Sequence, residues 1–433
     1  MSFRRVLSVL VCLAGLGPVF ASEPEWGSFR GPRGDGRSLE GLPPGDGALD
    51  FELVWRRPLG SGYSGVTVDG DQLVTAARDG AEDFVLAFAA SEGSERWRFA
   101  LGPTYAGHDG SHDGPIATPA VAGGQVFAVS TQGRLVALDA ATGSLLWSRD
   151  LPADHQAPAP FYGYGGSPRV VGDVVVLWIG ADTGHVAAFD RATGALRWQQ
   201  LEEPVGAQTP VVATLAGREQ IVVIGGTSVA GLAPKDGTIL WRLVHKGGSA
   251  MGAVSSSPLL LGDDRILFKH GADSSLVVRV TREGETFTAA IEREPRALAR
   301  SYSPPALAGD LVVGYTGRFL GALEPATGNL LWRSREPGDG FLVVVGDQMV
   351  VLTKEGSLHL GPVNRTAWSE TARLEVFEDL AWTPPAVAGS SLFLRSLGTI
   401  ARVDLVRRAT AAVKVVPPLP TVLAPLAEQL AAG

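Results

Sequence analysis

The chain has 433 residues, of which 45% are hydrophobic and 19% are charged, a balance that suits a globular protein with a large core. Its formal net charge of −8 excludes electrostatic attraction to nucleic acid or to an anionic membrane surface. The 55 glycines follow no collagen-like period and therefore indicate many tight turns.

The N-terminus has the pattern of a secretory signal peptide. Arg4 and Arg5 precede an apolar run at residues 6–16, and residues 19–21 (Val-Phe-Ala) form a signal peptidase site. The apolar run is too short to span a bilayer. We therefore predict cleavage after Ala21 and a periplasmic or secreted protein.

The single cysteine, Cys12, lies inside this signal segment. Val11 before it does not match the small residue that a lipoprotein signal requires. The mature protein would have no thiol, which excludes disulfides, thiolate-bound metals and covalently attached c-type haem. Core packing alone would then stabilise the exported chain.

An internal repeat dominates the rest of the chain. Its clearest copies follow the pattern Ala-x-Asp/Glu-x-x-Thr-Gly-x-x-x-Trp, and one decayed copy has Thr288 where we expect the tryptophan. A turn motif, a branched apolar residue followed by any residue and Gly, lies about 25 to 30 residues before most of these tryptophans, and a longer loop near residues 216–217 replaces it before Trp241. The short β-branched stretches between these motifs are bounded by glycine and predict strands. The repeat tryptophans are Trp55, Trp97, Trp147, Trp198, Trp241, Trp332 and Trp368.

Each unit of roughly 45 residues predicts a four-stranded antiparallel blade of a β-propeller. A single blade leaves both faces apolar, so blades must stack, and each tryptophan would be buried between two blades with its indole N–H bonded to the next one. Residues 385–405 provide strands without a tryptophan, and residues 51–57 provide a tryptophan strand without a blade. We therefore predict an all-β, eight-bladed propeller whose last blade is closed by an N-terminal strand, with seven blades as the alternative.

The predicted organisation has four parts. They are a signal peptide at residues 1–21, a Gly/Pro-rich leader at 22–50, the propeller at 51–408 and a Pro-rich tail at 409–433. We expect most of the leader and the tail to be poorly ordered.

The repeat resembles the tryptophan-docking repeat of pyrroloquinoline-quinone (PQQ)-type propellers, over residues 51–408. The segments at 26–36 and 113–121 are similar to those of exported bacterial PQQ-like repeat proteins. The resemblance implies two activities. Quinoprotein alcohol dehydrogenases hold PQQ and Ca²⁺ at the ring centre and commonly carry an adjacent cysteine pair, which the mature chain lacks. The outer-membrane assembly lipoprotein is an eight-bladed scaffold that binds a partner protein without a cofactor, but a convincing lipobox is missing here.

A glycine-rich loop carries His108, Asp109, His112 and Asp113 within six residues. Imidazole and carboxylate groups bind divalent metals, so these four residues are a candidate metal site. The alternative is a polar loop that is held by its own hydrogen bonds.

Four further residues are candidates for cofactor or ligand binding. Tyr162 and Tyr164 lie in an aromatic, Gly-rich loop that suits either ligand lining or packing between blades. Lys269 and Arg300 lie at comparable positions later in the ring, where a cation would hold an anionic ligand or form an ordinary salt bridge. Since these loops lead into innermost strands, we expect them on one face near the central channel. We predict no catalytic residue.

These observations favour a non-catalytic, monomeric, exported propeller that binds a protein partner or a small ligand on its loop face and needs no cofactor. The first alternative is a PQQ- and Ca²⁺-dependent quinoprotein oxidoreductase acting on alcohols or sugars. The second is another small-molecule or polysaccharide-binding activity, including a hydrolytic one, that uses the His-Asp loop.

Overall fold

The computed structural model describes residues 25–38, 41–107, 110–156, 158–180, 184–204, 208–245, 257–270 and 274–409. The predicted signal peptide and nearly all of the predicted tail lie outside these ranges. Among the described residues, no helix has the length and apolar character needed to cross a membrane.

Eight antiparallel sheets of four strands form the blades of a propeller, which confirms the predicted fold. The strands of blades 1 to 4 are Thr67–Asp69, Gln72–Asp79, Glu82–Ala89 and Glu95–Pro103; Ala120–Ala122, Gln125–Val129, Arg134–Asp139 and Leu145–Asp150; Arg169–Val171, Val174–Ile179, Gly184–Asp190 and Leu196–Glu203; Val211–Leu215, Arg218–Ile224, Ser228–Leu232 and Ile239–Val244. Those of blades 5 to 8 are Leu259–Leu260, Arg265–His270, Ser274–Glu283 and Thr286–Arg293; Ala306–Ala308, Leu311–Thr316, Phe319–Glu324 and Asn329–Ser334; Gly340–Val345, Gln348–Thr353, Ser357–Pro362 and Ala372–Glu375; Ala386–Ala388, Ser391–Arg395, Thr399–Arg408 and Ala48–Pro58. A two-residue strand, Arg37–Ser38, and a short helix, Leu151–His155, complete the elements.

The ring is closed by the N-terminal strand Ala48–Pro58, which pairs antiparallel with Thr399–Arg408 of blade 8. This confirms the closure that the sequence predicts. Arg395 of blade 8 adds a polar link, because its buried guanidinium donates to the carbonyls of Ser64 (2.9 Å) and Ala76 (2.7 Å) of blade 1. The first and last strands of the propeller segment thus lie in the same blade, and their pairing closes the ring.

Five tryptophans bind the next blade in the same way. The indole N–H of Trp97, for example, donates to the carbonyl of Ala140 at 2.9 Å, and Gly143, three residues further, packs under the ring. A Cβ at Gly143 would lie 2.6 Å from that ring, and the backbone there has φ +72°. Only glycine meets both demands without strain. The other pairs are Trp55 with Ala90, Trp147 with Arg191, Trp198 with Pro234 and Trp332 with Asn364.

Two predicted docking tryptophans behave differently. Trp241 donates to Gln220 Oε1 of its own blade at 2.6 Å. In the facing blade 5, a tight turn at Gly284 joins the two outer strands. Trp368 corrects our prediction more strongly. It lies in the loop before the outer strand of blade 7, not on that strand, and packs against the core between blades 6 and 7.

The decayed repeat also needs a correction, since Thr288 does not occupy the tryptophan position. The register of blade 5 places Arg293 there, opposite Val277 and beside the same bulge that flanks the tryptophans. Its guanidinium donates to the carbonyl of Pro325 at 3.5 Å, and its side chain packs on Gly328, three residues further. Arg293 therefore makes the two contacts that an indole makes in other blades, namely a hydrogen bond to a carbonyl of the next blade and packing on a glycine three residues further.

The leader is ordered where we expected it to be poorly ordered. Trp26 is 2% exposed and exchanges backbone hydrogen bonds with Val68, and the carbonyl of Gly27 accepts from Val121 N at 2.7 Å. Further on, Arg37–Ser38 pairs with the innermost strand of blade 7. Because innermost strands line the axis of a propeller, residues 26–38 fill part of the central channel.

Candidate functional site

The described part of the predicted metal loop is engaged within the protein. The carboxylate of Asp113 pairs with Arg78 at 2.6 Å and accepts from Gly107 N at 2.9 Å. His112 is exposed and stacks on Tyr63, with 6.3 Å between ring centroids. His108 and Asp109 lie outside the described residues, so the metal site stays a prediction. Within the described ranges, no three His, Cys, Asp or Glu residues form a group that could hold a metal ion.

The four predicted ligand residues have different surroundings. Tyr164 is buried between blades 2 and 3, where its hydroxyl accepts from Gly180 N at 3.2 Å and burial raises its pKa. Tyr162 is exposed and lies edge-on to Phe161, with 4.9 Å between ring centroids. Arg300 is exposed and has a left-handed backbone with φ 56°. Tyr164 is therefore buried, whereas Tyr162 and Arg300 are exposed. A role in ligand binding remains a prediction for all three residues.

Lys269 is the most unusual of the four because its ammonium group is buried. Its Nζ donates to the carbonyls of Ser301 and Ser303, the latter at 2.9 Å. Burial, reinforced by the charge of Arg30, lowers its pKa to about 7. Arg30 belongs to the leader in the channel, so the leader and blade 5 bring two cations close together near the axis.

A group of aromatic residues that we did not predict lies on the loop face. The ring of Trp382 is 6.3 Å from Tyr63, 6.1 Å from Tyr302 and 6.1 Å from Phe341, measured between centroids. We refer to these four residues with His112 as the aromatic cluster. They lie before or at the first strands of blades 1, 2, 6, 7 and 8. The cluster therefore combines residues from the first two blades with residues from the last three.

One cation and one carboxylate complete this arrangement. Lys354 Nζ lies 3.9 Å from the centre of the half-buried Trp382 ring, within the range of a cation–π interaction. The same Nζ pairs with Asp339 Oδ2 at 2.5 Å. The other carboxylate oxygen, Asp339 Oδ1, is buried and has no hydrogen-bond partner among the described residues. Such an oxygen lacks the hydrogen bond that a buried carboxylate oxygen usually accepts.

The loops that lead into the innermost strands of blades 1 to 4, two of which carry cluster residues, are tied together by hydroxyl groups. Thr118 Oγ1 accepts from Gly65 N at 2.8 Å, Ser167 Oγ accepts from Thr118 N at 2.9 Å, and Thr209 Oγ1 accepts from Ser167 N at 3.0 Å. Each hydroxyl belongs to a Ser/Thr-Pro pair before an innermost strand. The relay fixes neighbouring loops relative to one another at the axis.

The same pair is the sequence signal that would have found the cluster. Ser303-Pro304 and Thr383-Pro384 repeat it, and the residues directly before these pairs are Tyr302 and Trp382. An aromatic residue directly before a Ser/Thr-Pro pair therefore marks two members of the aromatic cluster, Tyr302 and Trp382.

The family model described as outer membrane protein assembly factor BamB matches residues 81–320, more than half of the chain. The chain belongs to this family. The resemblance to PQQ-type propeller repeats is thereby confirmed. A crystal structure of BamB from Moraxella catarrhalis superposes with a TM-score of 0.62 at 17% identity, over 82% of this chain and 99% of that one. A quinohemoprotein alcohol dehydrogenase from Comamonas testosteroni gives a TM-score of 0.64 at 13% identity, over 90% and 82%. At these identities the likeness shows the fold alone.

Curated relatives of this BamB-family chain are enzymes. A 1-butanol dehydrogenase (cytochrome c) from Thauera butanivorans is 32% identical over 198 residues, which are 43% of this chain and 28% of the relative. The quinohemoprotein alcohol dehydrogenase ADH IIB from Pseudomonas putida is 36% identical over 122 residues, 27% of this chain and 17% of the relative. The chain thus spans less than a third of the length of these relatives.

These relatives overturn two of our expectations. We expected a non-catalytic scaffold and no cofactor, and both expectations are wrong because the matching relatives are dehydrogenases and include quinohemoproteins. That interpretation gave too much weight to the absence of a cysteine pair. An enzyme is the reading that the relatives support.

Proposed function

We propose that this propeller is a quinone-dependent oxidoreductase that acts on alcohols and holds its quinone on the aromatic cluster. The observation that carries the proposal is the half-buried indole of Trp382, which has a cation above its ring and lies among the loops that lead into the blades. Concave sites with an aromatic floor and a few placed polar groups are typical of cofactor binding. The dehydrogenase names of the relatives supply the reaction class.

The described residues fit a flat, anionic quinone. The Trp382 face opposite Lys354 would stack on a planar ring system, and the ammonium group of Lys354 would balance the negative charge of the quinone. The donor set for Ca²⁺ is less complete, since Ca²⁺ takes six to eight oxygen ligands and the described residues bring no three acidic groups together. The proposal therefore concerns the quinone.

The chemistry that a bound quinone supplies is an acceptor for the two electrons released in alcohol oxidation. The chain's own contribution is to orient the alcohol and to take its hydroxyl proton. Asp339 Oδ1 is the group for that proton, because it is unpaired while Oδ2 is held by Lys354. Phe341 and Tyr302 border the same place and would exclude water from it.

The proposal also assigns a location and a partner to the enzyme. The predicted signal peptide would place the enzyme in the periplasm or outside the cell, where we expect a monomer. The predicted protein partner would then be an electron acceptor, and the name of the Thauera relative points to a cytochrome c.

The proposal is tested by turnover. Purified protein is loaded with PQQ in the presence of Ca²⁺, desalted, and assayed for dye-linked oxidation of 1-butanol. We expect turnover in the wild type, and a loss of about 10²- to 10⁴-fold in Asp339→Asn with the quinone still retained, because that variant removes a general base. The matched control is Asp379→Asn, whose carboxylate accepts from the Gly398 backbone N–H, a bond that the amide oxygen of Asn can also accept. A wild type without retained quinone and without turnover would contradict the proposal.

A further inference from the structure

Two buried cations lie near the axis, and no carboxylate of the described residues binds either of them. Lys269 is 7% exposed, and both acceptors recorded for its Nζ are carbonyls, those of Ser301 and Ser303. Arg30 is 2% exposed, and its Nη2 donates to the carbonyls of Asp35 and Pro305. Carbonyl dipoles solvate a cation but do not neutralise it.

The nearest acidic group is occupied elsewhere. The Asp35 carboxylate pairs with Arg33 Nε at 2.9 Å and accepts from Arg37 N at 3.1 Å. Burial lowers the pKa of Arg30 to about 10, and the negative charge of Asp35 offsets this shift only in part. Buried charges are expensive unless they are paired, so the axis carries an uncompensated positive charge.

Unused hydrogen-bond donors lie at the same place. Arg30 Nη1 and Ser303 Oγ are buried and have no partner among the described residues. Arg30 and Lys269 are held on the carbonyls of residues 305 and 303, so both cations contact one short segment, with Ser303 in it. Lys269 also keeps one of its three ammonium protons beyond the two recorded bonds.

We propose that Arg30, Lys269 and Ser303 form a binding site for a single carboxylate at the axis of the propeller. A carboxylate has two oxygens and accepts several hydrogen bonds, which matches a guanidinium N–H, an ammonium N–H and a hydroxyl. Its charge would offset the two buried cations. Because Arg30 belongs to the leader and Lys269 to blade 5, the bound anion would fasten the leader inside the ring.

This site goes beyond the proposed function and does not depend on it. It uses none of the aromatic cluster residues, and it is tested with sodium formate in the absence of any quinone. A failure to bind quinone would therefore not change the expected response to formate. A failure to respond to formate would not change the expected binding of quinone.

The test is thermal unfolding of the full chain in sodium formate against sodium chloride of equal ionic strength. We expect a saturable rise of the melting temperature by a few degrees in formate, because a ligand that binds only the folded state stabilises it. Lys269→Met should abolish the rise while raising the melting temperature without formate, since it removes an uncompensated buried charge. Ser303→Ala keeps both cations and should weaken formate binding by about 10- to 100-fold, the loss of one hydrogen bond to a charged group.

Lys235→Met is the matched control, because Lys235 is an exposed cation on a turn of blade 4, away from the three site residues. It should keep the full response to formate. A wild type that responds equally to formate and chloride, or a Lys269→Met variant that keeps the formate response, would overturn the proposal.

Discussion

Lys354 Nζ lies 3.9 Å from the centre of the Trp382 ring. Lys354 is on blade 7, whereas Trp382 precedes the first strand of blade 8, so the contact spans two blades. It combines an aromatic face with a positive charge on the loop face of the propeller, and the predictions about ligand binding depend on this pair.

Lys354→Met should weaken PQQ binding by about 10-fold, because the variant removes a charged hydrogen bond to the anionic quinone worth about 1.5 kcal/mol. Equilibrium titration by tryptophan fluorescence measures the change. Lys235→Met is the matched control, since Lys235 is exposed on a turn of blade 4. Equal affinity in the Lys354→Met variant and the wild type would remove Lys354 from the site.

Gly143→Ala should destabilise the propeller strongly. A Cβ at Gly143 would lie 2.6 Å from the Trp97 ring, in a backbone with φ +72°. We expect a loss of about 2 to 4 kcal/mol in the free energy of unfolding, of which the left-handed backbone accounts for about 1 to 2 kcal/mol and the clash for the rest.

Urea unfolding of Gly143→Ala and Gly124→Ala separates these two contributions. Gly124 has φ +74°, but a Cβ there would meet nothing within 4 Å. The Gly124 variant should therefore show the backbone cost alone. Equal losses in the two variants would mean that the indole has room to move away from an added methyl group.

Lys269 should give the propeller a pH-dependent stability. Its pKa is about 7 in the folded protein, below the ordinary value of 10.5. Between these values the unfolded chain binds more protons, so the free energy of unfolding should increase with pH, by at most about 1.4 kcal/mol per pH unit from this group.

Lys269→Met should remove that increase. The measurement is urea unfolding at pH 7, 8 and 9 for the variant and the wild type. Parallel pH profiles of the two proteins would show that the Lys269 ammonium group titrates at its ordinary pKa.

The blades could be predicted from the sequence because each one repeats the same local chemistry. The Thr-Gly turn before Trp147, for example, determines a hairpin and a docking position within a few residues. Arg293 escaped that reasoning because its hairpin is longer, which moves the docking position five residues beyond Thr288.

The site was harder to predict because it depends on which loops meet. Trp382 and Tyr63 are far apart in the chain, and only closure of the ring brings them to 6.3 Å. The leader was misjudged for a related reason. Its glycines suggested disorder, whereas Gly31 and Gly36 have positive φ and allow close packing against Trp26 and Arg30 in the channel.

The most direct test of the proposed quinone site is the affinity for PQQ, in the presence of Ca²⁺, of the wild type, Trp382→Ala and Tyr162→Ala. Absorption of the quinone retained after equilibrium dialysis gives the bound fraction. We expect Trp382→Ala to bind at least about 10-fold more weakly, the loss of one stacked aromatic contact, and Tyr162→Ala to bind like the wild type. Unchanged binding in Trp382→Ala, or a loss confined to Tyr162→Ala, would contradict a quinone held on the aromatic cluster.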